Sequence, residues 1–128
     1  MSLQFSRYTL FCRDLEASLR FYRDTLGLVI VEQKTLSGPM AGGLLQLPAC
    51  TMRIALLAAD HDGPVILGLF EISDTPLQQL QPPLGQPAHG QSALVLATDN
   101  FDALHGALVQ GGYRFLTPPL AYPKAQAS

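Results

Sequence analysis

The sequence has little charge, and no part of it concentrates charge of one sign. Its 128 residues carry 8 lysines and arginines against 10 aspartates and glutamates, a net charge of −2. No basic run suggests a nucleic-acid partner, and no acidic tail suggests a cationic one. The longest apolar runs are far too short to span a bilayer, and no signal peptide opens the chain. We therefore expect a cytoplasmic protein that binds neither nucleic acid nor membrane.

Common catalytic and redox motifs are also missing. The two cysteines, Cys12 and Cys50, have no CxxC-like spacing, and we expect Cys12 to be a small buried residue of a strand. No phosphate loop, Rossmann glycine fingerprint or HExxH motif is present. The adjacent Asp60, His61 and Asp62 have no nucleophile motif beside them, so we expect a solvated turn there.

The most informative segment runs from residue 8 to residue 27. Residues 8–12 (YTLFC) predict a strand, and Asp14 is placed to cap a helix. Apolar residues then recur at a helical spacing that predicts packing on a sheet, namely Leu15, Leu19, Tyr22 and Leu26. Gly27 is a natural helix stop, and residues 28–34 predict the next strand.

The chain up to residue 73 continues as strands and turns. Residues 35–50 predict a loop, with a short helical or strand insert at 44–47. Residues 52–57 and 65–72 predict two strands paired as a hairpin. Strand, helix and three strands make one whole βαβββ module over residues 5–73. Residues 74–90 hold four of the ten prolines and predict a connector.

A weak internal repeat begins after the connector, about 85 residues from the first copy. Residues 92–98 predict a strand, Asn100 a helix cap, and Gly111 and Gly112 the helix stop. Residues 113–116 predict a further strand, but a proline-rich stretch follows. The sequence therefore predicts a partial second module over residues 91–128 that lacks two strands.

The segment RDLEASLRFYRDTLG closely resembles the N-terminal segment of the glyoxalase/bleomycin-resistance/extradiol-dioxygenase proteins, the vicinal oxygen chelate superfamily. That resemblance implies an α+β fold of tandem βαβββ modules forming a single glyoxalase-like domain over residues 1–128. The second module is then incomplete at the C-terminus. We expect missing sequence to be the reason, with completion of the sheet by another chain as the alternative.

The resemblance also implies four metal-ligand positions, which this sequence fills poorly. The histidine of the first strand is replaced by Arg7, which stays protonated, and the histidine of the second module is replaced by Ala93. The carboxylate of the fourth strand corresponds to Gly68, with Glu71 as the alternative ligand three residues on. The final glutamate belongs to strands that the chain lacks. We expect no catalytic metal unless missing sequence or a partner supplies ligands.

Strand alternation predicts which side chains line the cup formed by the strands. If position 7 points inward, Arg7, Thr9 and Phe11 share the inner face, together with Phe70 and Val95. These residues form a mainly apolar pocket with one cation, the composition expected for a small organic ligand that carries an anion. The alternative is that Arg7 is exposed to solvent at the start of its strand.

Three functions remain open from the sequence. The first is binding of a small organic molecule in an apolar cup without a catalytic metal, in the manner of the superfamily's drug-sequestering proteins. The second is a metal-dependent lyase, isomerase or dioxygenase that obtains ligands from missing sequence or a partner. The third is a noncatalytic dimerisation or regulatory module. Open strand edges, together with the resemblance, also predict a homodimer.

Overall fold

Four strands form one mixed sheet in the first half of the chain. They are β1 (Tyr8–Cys12), β2 (Val29–Gly38), β3 (Cys50–Ala58) and β4 (Val65–Ser73), arranged in the order β1-β4-β3-β2. β1 is parallel to β4, whereas β4, β3 and β2 pair in antiparallel fashion. The parallel pairing of β1 and β4 requires a crossover, and the helical segment between β1 and β2 begins it. The predicted α+β fold and its first βαβββ module are confirmed.

The computed structural model describes residues 2–80 and 86–121. The chain divides into two compact units, Met1–Leu80 and Gln81–Ser128, and each is described by itself. The end of the predicted partial module, residues 122–128, and residues 81–85 of the predicted connector lie outside the described residues. No helix in the described ranges is long and apolar enough to cross a membrane.

The helix after β1 begins and ends where the sequence predicts. α1 (Leu15–Leu19) is capped by Asp14, whose Oδ1 accepts a hydrogen bond from the Ala17 amide at 3.2 Å. The helix then widens into a π-helical turn, Arg20–Thr25, which the sequence pattern did not predict. Gly27 has φ +83°, a left-handed conformation that glycine adopts without steric cost, and the chain leaves the helix there.

The helical layer packs on one face of the sheet and forms a dry core. Leu15 and Leu19 are at most 1% exposed and face the sheet. The sheet contributes Leu57, Leu67 and Leu69, all fully buried. Burial of each such leucine contributes about 1.5–3 kcal/mol relative to its exposure to water. This layer supplies the main apolar core of the first unit.

Strand ends in the first unit differ modestly from the predictions. β2 continues to Gly38 rather than ending at residue 34, because β3 pairs with it along its whole length down to Cys50. The short insert predicted at residues 44–47 is instead the helix α2 (Pro39–Gly43), which starts with proline at a favourable first position. The longer β2, which pairs with β3, and the helix α2 therefore replace much of the loop predicted over residues 35–50.

The second unit contains one regular element among residues 86–121, the helix α3 (Phe101–Gln110). Asn100 caps it by accepting from the Ala103 amide at 3.3 Å, and Gly112 follows it with φ +81°, so both predicted helix ends are confirmed. The strands predicted at residues 92–98 and 113–116 are wrong, because neither segment has a ladder partner in this unit. A strand pattern alone does not form a strand without a neighbour to pair with.

Candidate functional site

The sheet face opposite α1 forms an open apolar floor. Met52, Ile54 and Leu56 alternate along β3 and are buried there. Phe70 of β4 packs against them, and the ladder places Ile54 directly opposite Phe70. Residues opposite each other in a ladder share a face of the sheet. We call this floor, with the walls described next, the cup.

The helix α2, the two residues that follow it and the end of β2 form one wall of the cup. This wall is almost entirely apolar and consists of Leu36, Met40, Ala41, Leu44 and Leu45. The volume of the cup is about 520 Å³, within the usual range for small-molecule sites of roughly 300–1,000 Å³. Met40 is 87% exposed and Leu44 is 93% exposed, so the wall is poorly covered. The cup has the size and the apolar character that a small organic ligand requires.

The Arg7 side chain lies over Gly68 of β4, at the edge of the cup floor. A β-carbon placed on Gly68 would lie 3.5 Å from Nε of Arg7, 3.0 Å from Cε1 of Phe70 and 3.3 Å from Cδ2 of Leu56. The absence of a side chain at Gly68 therefore allows the guanidinium stem to cross β4 closely. Arg7 is exposed, as the alternative prediction has it, and it also lines the cup. No other described residue forms a hydrogen bond or an ion pair with it.

Of the remaining predicted pocket residues, only some line the cup. Phe70 lines the cup, and Phe11 meets its ring edge-on at a centroid distance of 5.8 Å. Thr9 is exposed and pairs with Gly68 on the same face of the sheet. Val95 is 87% exposed and lies in the second unit, so its place in the pocket stays a prediction.

Lys34 is a cup residue that the sequence analysis did not identify. It lies on β2 opposite Ile54, and it lines the cup from the side away from Arg7. The pairing register of β2 with β3 shifts between Ile30 and Glu32. Simple alternation counted from the start of β2 therefore does not predict the face of the sheet on which Lys34 lies. The alternation of Met52, Ile54 and Leu56 in the sequence was the available signal for the floor.

Glu71, the alternative metal ligand, lies on the opposite face of the sheet, toward α1. Its Oε2 accepts a hydrogen bond from the Leu15 amide at 2.8 Å, and its Oε1 accepts one from Arg53 at 3.3 Å. Arg53 also reaches Glu16 at 3.3 Å. Both oxygens of Glu71 therefore bind protein groups and connect β4 to the start of α1.

The positions that the resemblance assigns to metal ligands do not fit a divalent cation. Arg7 has no lone pair to donate, Gly68 has no side chain, and Glu71 faces away from the cup. Residues 2–80 and 86–121 contain no group of three or more histidine, cysteine, aspartate or glutamate side chains close enough to hold a metal ion. Among the residues described, the cup carries cations instead.

Cys12 lies in the predicted strand β1, on the face toward α1, and it is half-buried rather than fully buried. Its thiol donates to the carbonyl of Phe70 at 3.6 Å. Burial raises the pKa of Cys12 above its ordinary value, and the nearby carboxylates of Glu71 and Asp14 raise it further, against a hydrogen bond with Ser18 that lowers it. A raised pKa disfavours the nucleophilic thiolate. Cys12 is therefore a packing residue of the sheet.

Comparison with known proteins identifies the family to which this geometry corresponds. The family model described as Glyoxalase/Bleomycin resistance protein/Dioxygenase superfamily matches residues 4–127. No curated protein sequence matches the chain.

One solved structure has the same fold as this chain. A glyoxalase family protein from Bacillus cereus is 17% identical with a TM-score of 0.77, and the match covers 96% of this chain and 81% of that one. The fosfomycin resistance protein FosX from Listeria monocytogenes is 13% identical with a TM-score of 0.46, over 88% of this chain and 72% of that one. The first match supports the fold, and the second is too distant in shape to support an argument.

The two glutamates that contact Arg53 provide a matched test of the link between the sheet and α1. The Glu71 side chain is 15% exposed and accepts from a helix amide, whereas the Glu16 side chain is 55% exposed and forms an ion pair with Arg53. Glu71→Ala should lower the free energy of unfolding by about 1–3 kcal/mol, because it leaves a partly buried donor unsatisfied. Glu16→Ala should cost only about 0–1 kcal/mol.

Urea unfolding of both variants and of the parent chain measures this difference. Equal losses for the two variants would show that Glu71 does not hold the start of α1 to the sheet.

Proposed function

Because the chain belongs to the glyoxalase/bleomycin resistance protein/dioxygenase superfamily, we propose that it binds a small organic anion in the cup, without a catalytic metal held by its own residues. The observation that carries the proposal is Arg7, a permanent cation without a partner among the described residues, at the edge of an apolar floor. A cation in that position attracts a ligand that is apolar over most of its surface and carries an anionic group.

The guanidinium suits a carboxylate or a phosphate. Its planar fork donates two parallel hydrogen bonds to such a group, and each charge-assisted bond contributes on the order of 1.5–3 kcal/mol. The apolar body of the ligand then lies on Met52, Ile54 and Leu56, where burial contributes about 25 cal/mol per Å² of apolar surface. Because Arg7 is exposed, water screens part of the charge term.

The proposal does not assign a chemical step to this chain. Catalysis in a site of this kind requires an acid, a base, a nucleophile or a metal in contact with the ligand. The cup residues that carry charge are Arg7 and Lys34, and the rest of its lining, apart from Ser37, is apolar. These residues suit binding and orientation of an anion. Sequestration of the ligand is therefore the activity that we propose.

We also propose that two copies of the chain associate. In the described part of the chain, β1 and β2 each pair on one side only, and the apolar floor of the cup is open. Unpaired strand edges and open apolar faces favour association with another chain. Sedimentation velocity at micromolar concentrations should show a dimer. A single monomeric species over that range would contradict the proposal.

Replacement of Arg7 tests the binding site. A thermal-shift screen of small carboxylates and aromatic acids should give hits that raise the melting temperature, and isothermal titration calorimetry then measures their affinities. Arg7→Ala should weaken these affinities about tenfold, because the guanidinium hydrogen bonds are lost. Arg20→Ala is the matched control, since it removes the same charge from the helical layer on the other face of the sheet.

Two results would contradict the proposed function. Unchanged affinities of all hits in Arg7→Ala would mean that Arg7 is only a solvated strand end. Stoichiometric zinc, nickel, iron or manganese in the purified protein, measured by mass spectrometry of the metal content, would favour a metal-dependent enzyme instead.

A further inference from the structure

The second cation of the cup, Lys34, lies across the floor from Arg7. The β-sheet ladder places Lys34 of β2 opposite Ile54 of β3, and Ile54 opposite Phe70 of β4. Arg7 crosses β4 at Gly68. One cation therefore belongs to the β4 side of the cup and the other to the β2 side.

The apolar strand β3 separates the two cations. Neighbouring strands of a sheet are about 4.8 Å apart, so β4 and β2, with β3 between them, are about 10 Å apart. The residues that occupy the space between the cations are Ile54 and Leu56, both buried and both apolar. A ligand that contacts both cations must therefore present an apolar middle to β3.

Lys34 has only a loose partner. Its Nζ lies 3.7 Å from Oε1 of Glu32, and both side chains are about half exposed, at 44% and 52%. Glu32 pairs with Leu56 in the ladder and so lies on the cup face beside Lys34. An exposed pair of this length contributes little to stability, and a ligand anion can replace Glu32 as the partner of Lys34.

We propose that the cup selects a linear molecule with an anionic group at each end and an apolar chain between them. This inference rests on the proposed function and adds the class of ligand to it. One anion binds Arg7, the apolar chain lies across Ile54 and Leu56, and the second anion binds Lys34 in competition with Glu32. Lys34 is then the residue that distinguishes a dianion from a monoanion of equal length.

Calorimetry with matched pairs of acids tests the inference. The probes are hexanedioate, octanedioate and decanedioate, each compared with the unbranched monocarboxylate of the same carbon number. At one length at least, the diacid should bind the parent chain about three- to tenfold more tightly than its monoacid, the gain of one partly exposed charge-assisted contact. A diacid that is too short to reach both cations should bind no more tightly than the monoacid of the same carbon number.

Three variants separate the roles of the charged residues. Lys34→Met keeps an unbranched side chain of similar length, and it should abolish the diacid preference, so that the ratio of diacid to monoacid affinity falls to about one. Glu32→Gln should increase the diacid preference about two- to fivefold, because it removes the competing carboxylate. Arg20→Met on the other face of the sheet is the control and should leave the preference as it is in the parent chain.

The outcomes distinguish this inference from the proposed function. If monoacids bind through Arg7 but Lys34→Met leaves the ratio of diacid to monoacid affinity unchanged, the two-ended ligand is wrong and the binding function stands. If the unbranched diacids and monoacids both fail to bind the parent chain while aromatic acids bind through Arg7, the inference is wrong and the binding function stands; if no acid of either kind binds, both fail. A diacid preference that Lys34→Met removes and Glu32→Gln increases supports the inference.

Discussion

Side chains of the four-stranded sheet alternate between two faces, and the use of each face follows from that alternation. One face carries Leu57, Leu67 and Leu69, which pack against α1 and exclude water. That packing fixes the strands, and with them the direction in which the alternate residues of β3 point. Met52, Ile54 and Leu56 therefore face the open side of the sheet. The buried layer thus fixes the positions of the residues that form the floor of the cup.

Glu71 and Arg7 lie on opposite faces of the sheet, and their charged groups therefore have different roles. Glu71 follows Phe70 directly, and it therefore faces α1, where it accepts from the Leu15 amide. Arg7, on the other face, crosses β4 because Gly68 has no side chain in its path. A carboxylate thus stabilises the helix on one side of the sheet, while a cation borders the apolar cup on the other. The open face is suited to an anion by composition and by geometry.

Local signals allowed much of the first unit to be predicted from the sequence. The Asp14 cap, the Gly27 stop and the bounds of β1 depend on residues close in the chain, and these predictions are confirmed. The strands of the second module were predicted from pattern alone and are wrong, because a strand also needs a neighbour. Lys34 was missed because a register shift in β2 changes the face of the sheet on which it lies. Glu71 could have been excluded from the cup, since residues three apart in a strand lie on opposite faces.

The central claim, that an organic anion occupies the cup, is tested most directly by the methyl groups of two cup methionines. Met40 lies in the wall of the cup and Met52 in its floor. In a methyl-labelled sample, with resonances assigned by Met40→Leu and Met52→Leu, the tightest-binding carboxylate should shift both signals, and Arg7→Ala should require about tenfold more of it for the same shifts. Shifts absent at Met40 and Met52, while calorimetry still records binding of that acid, would place the ligand elsewhere and contradict this account.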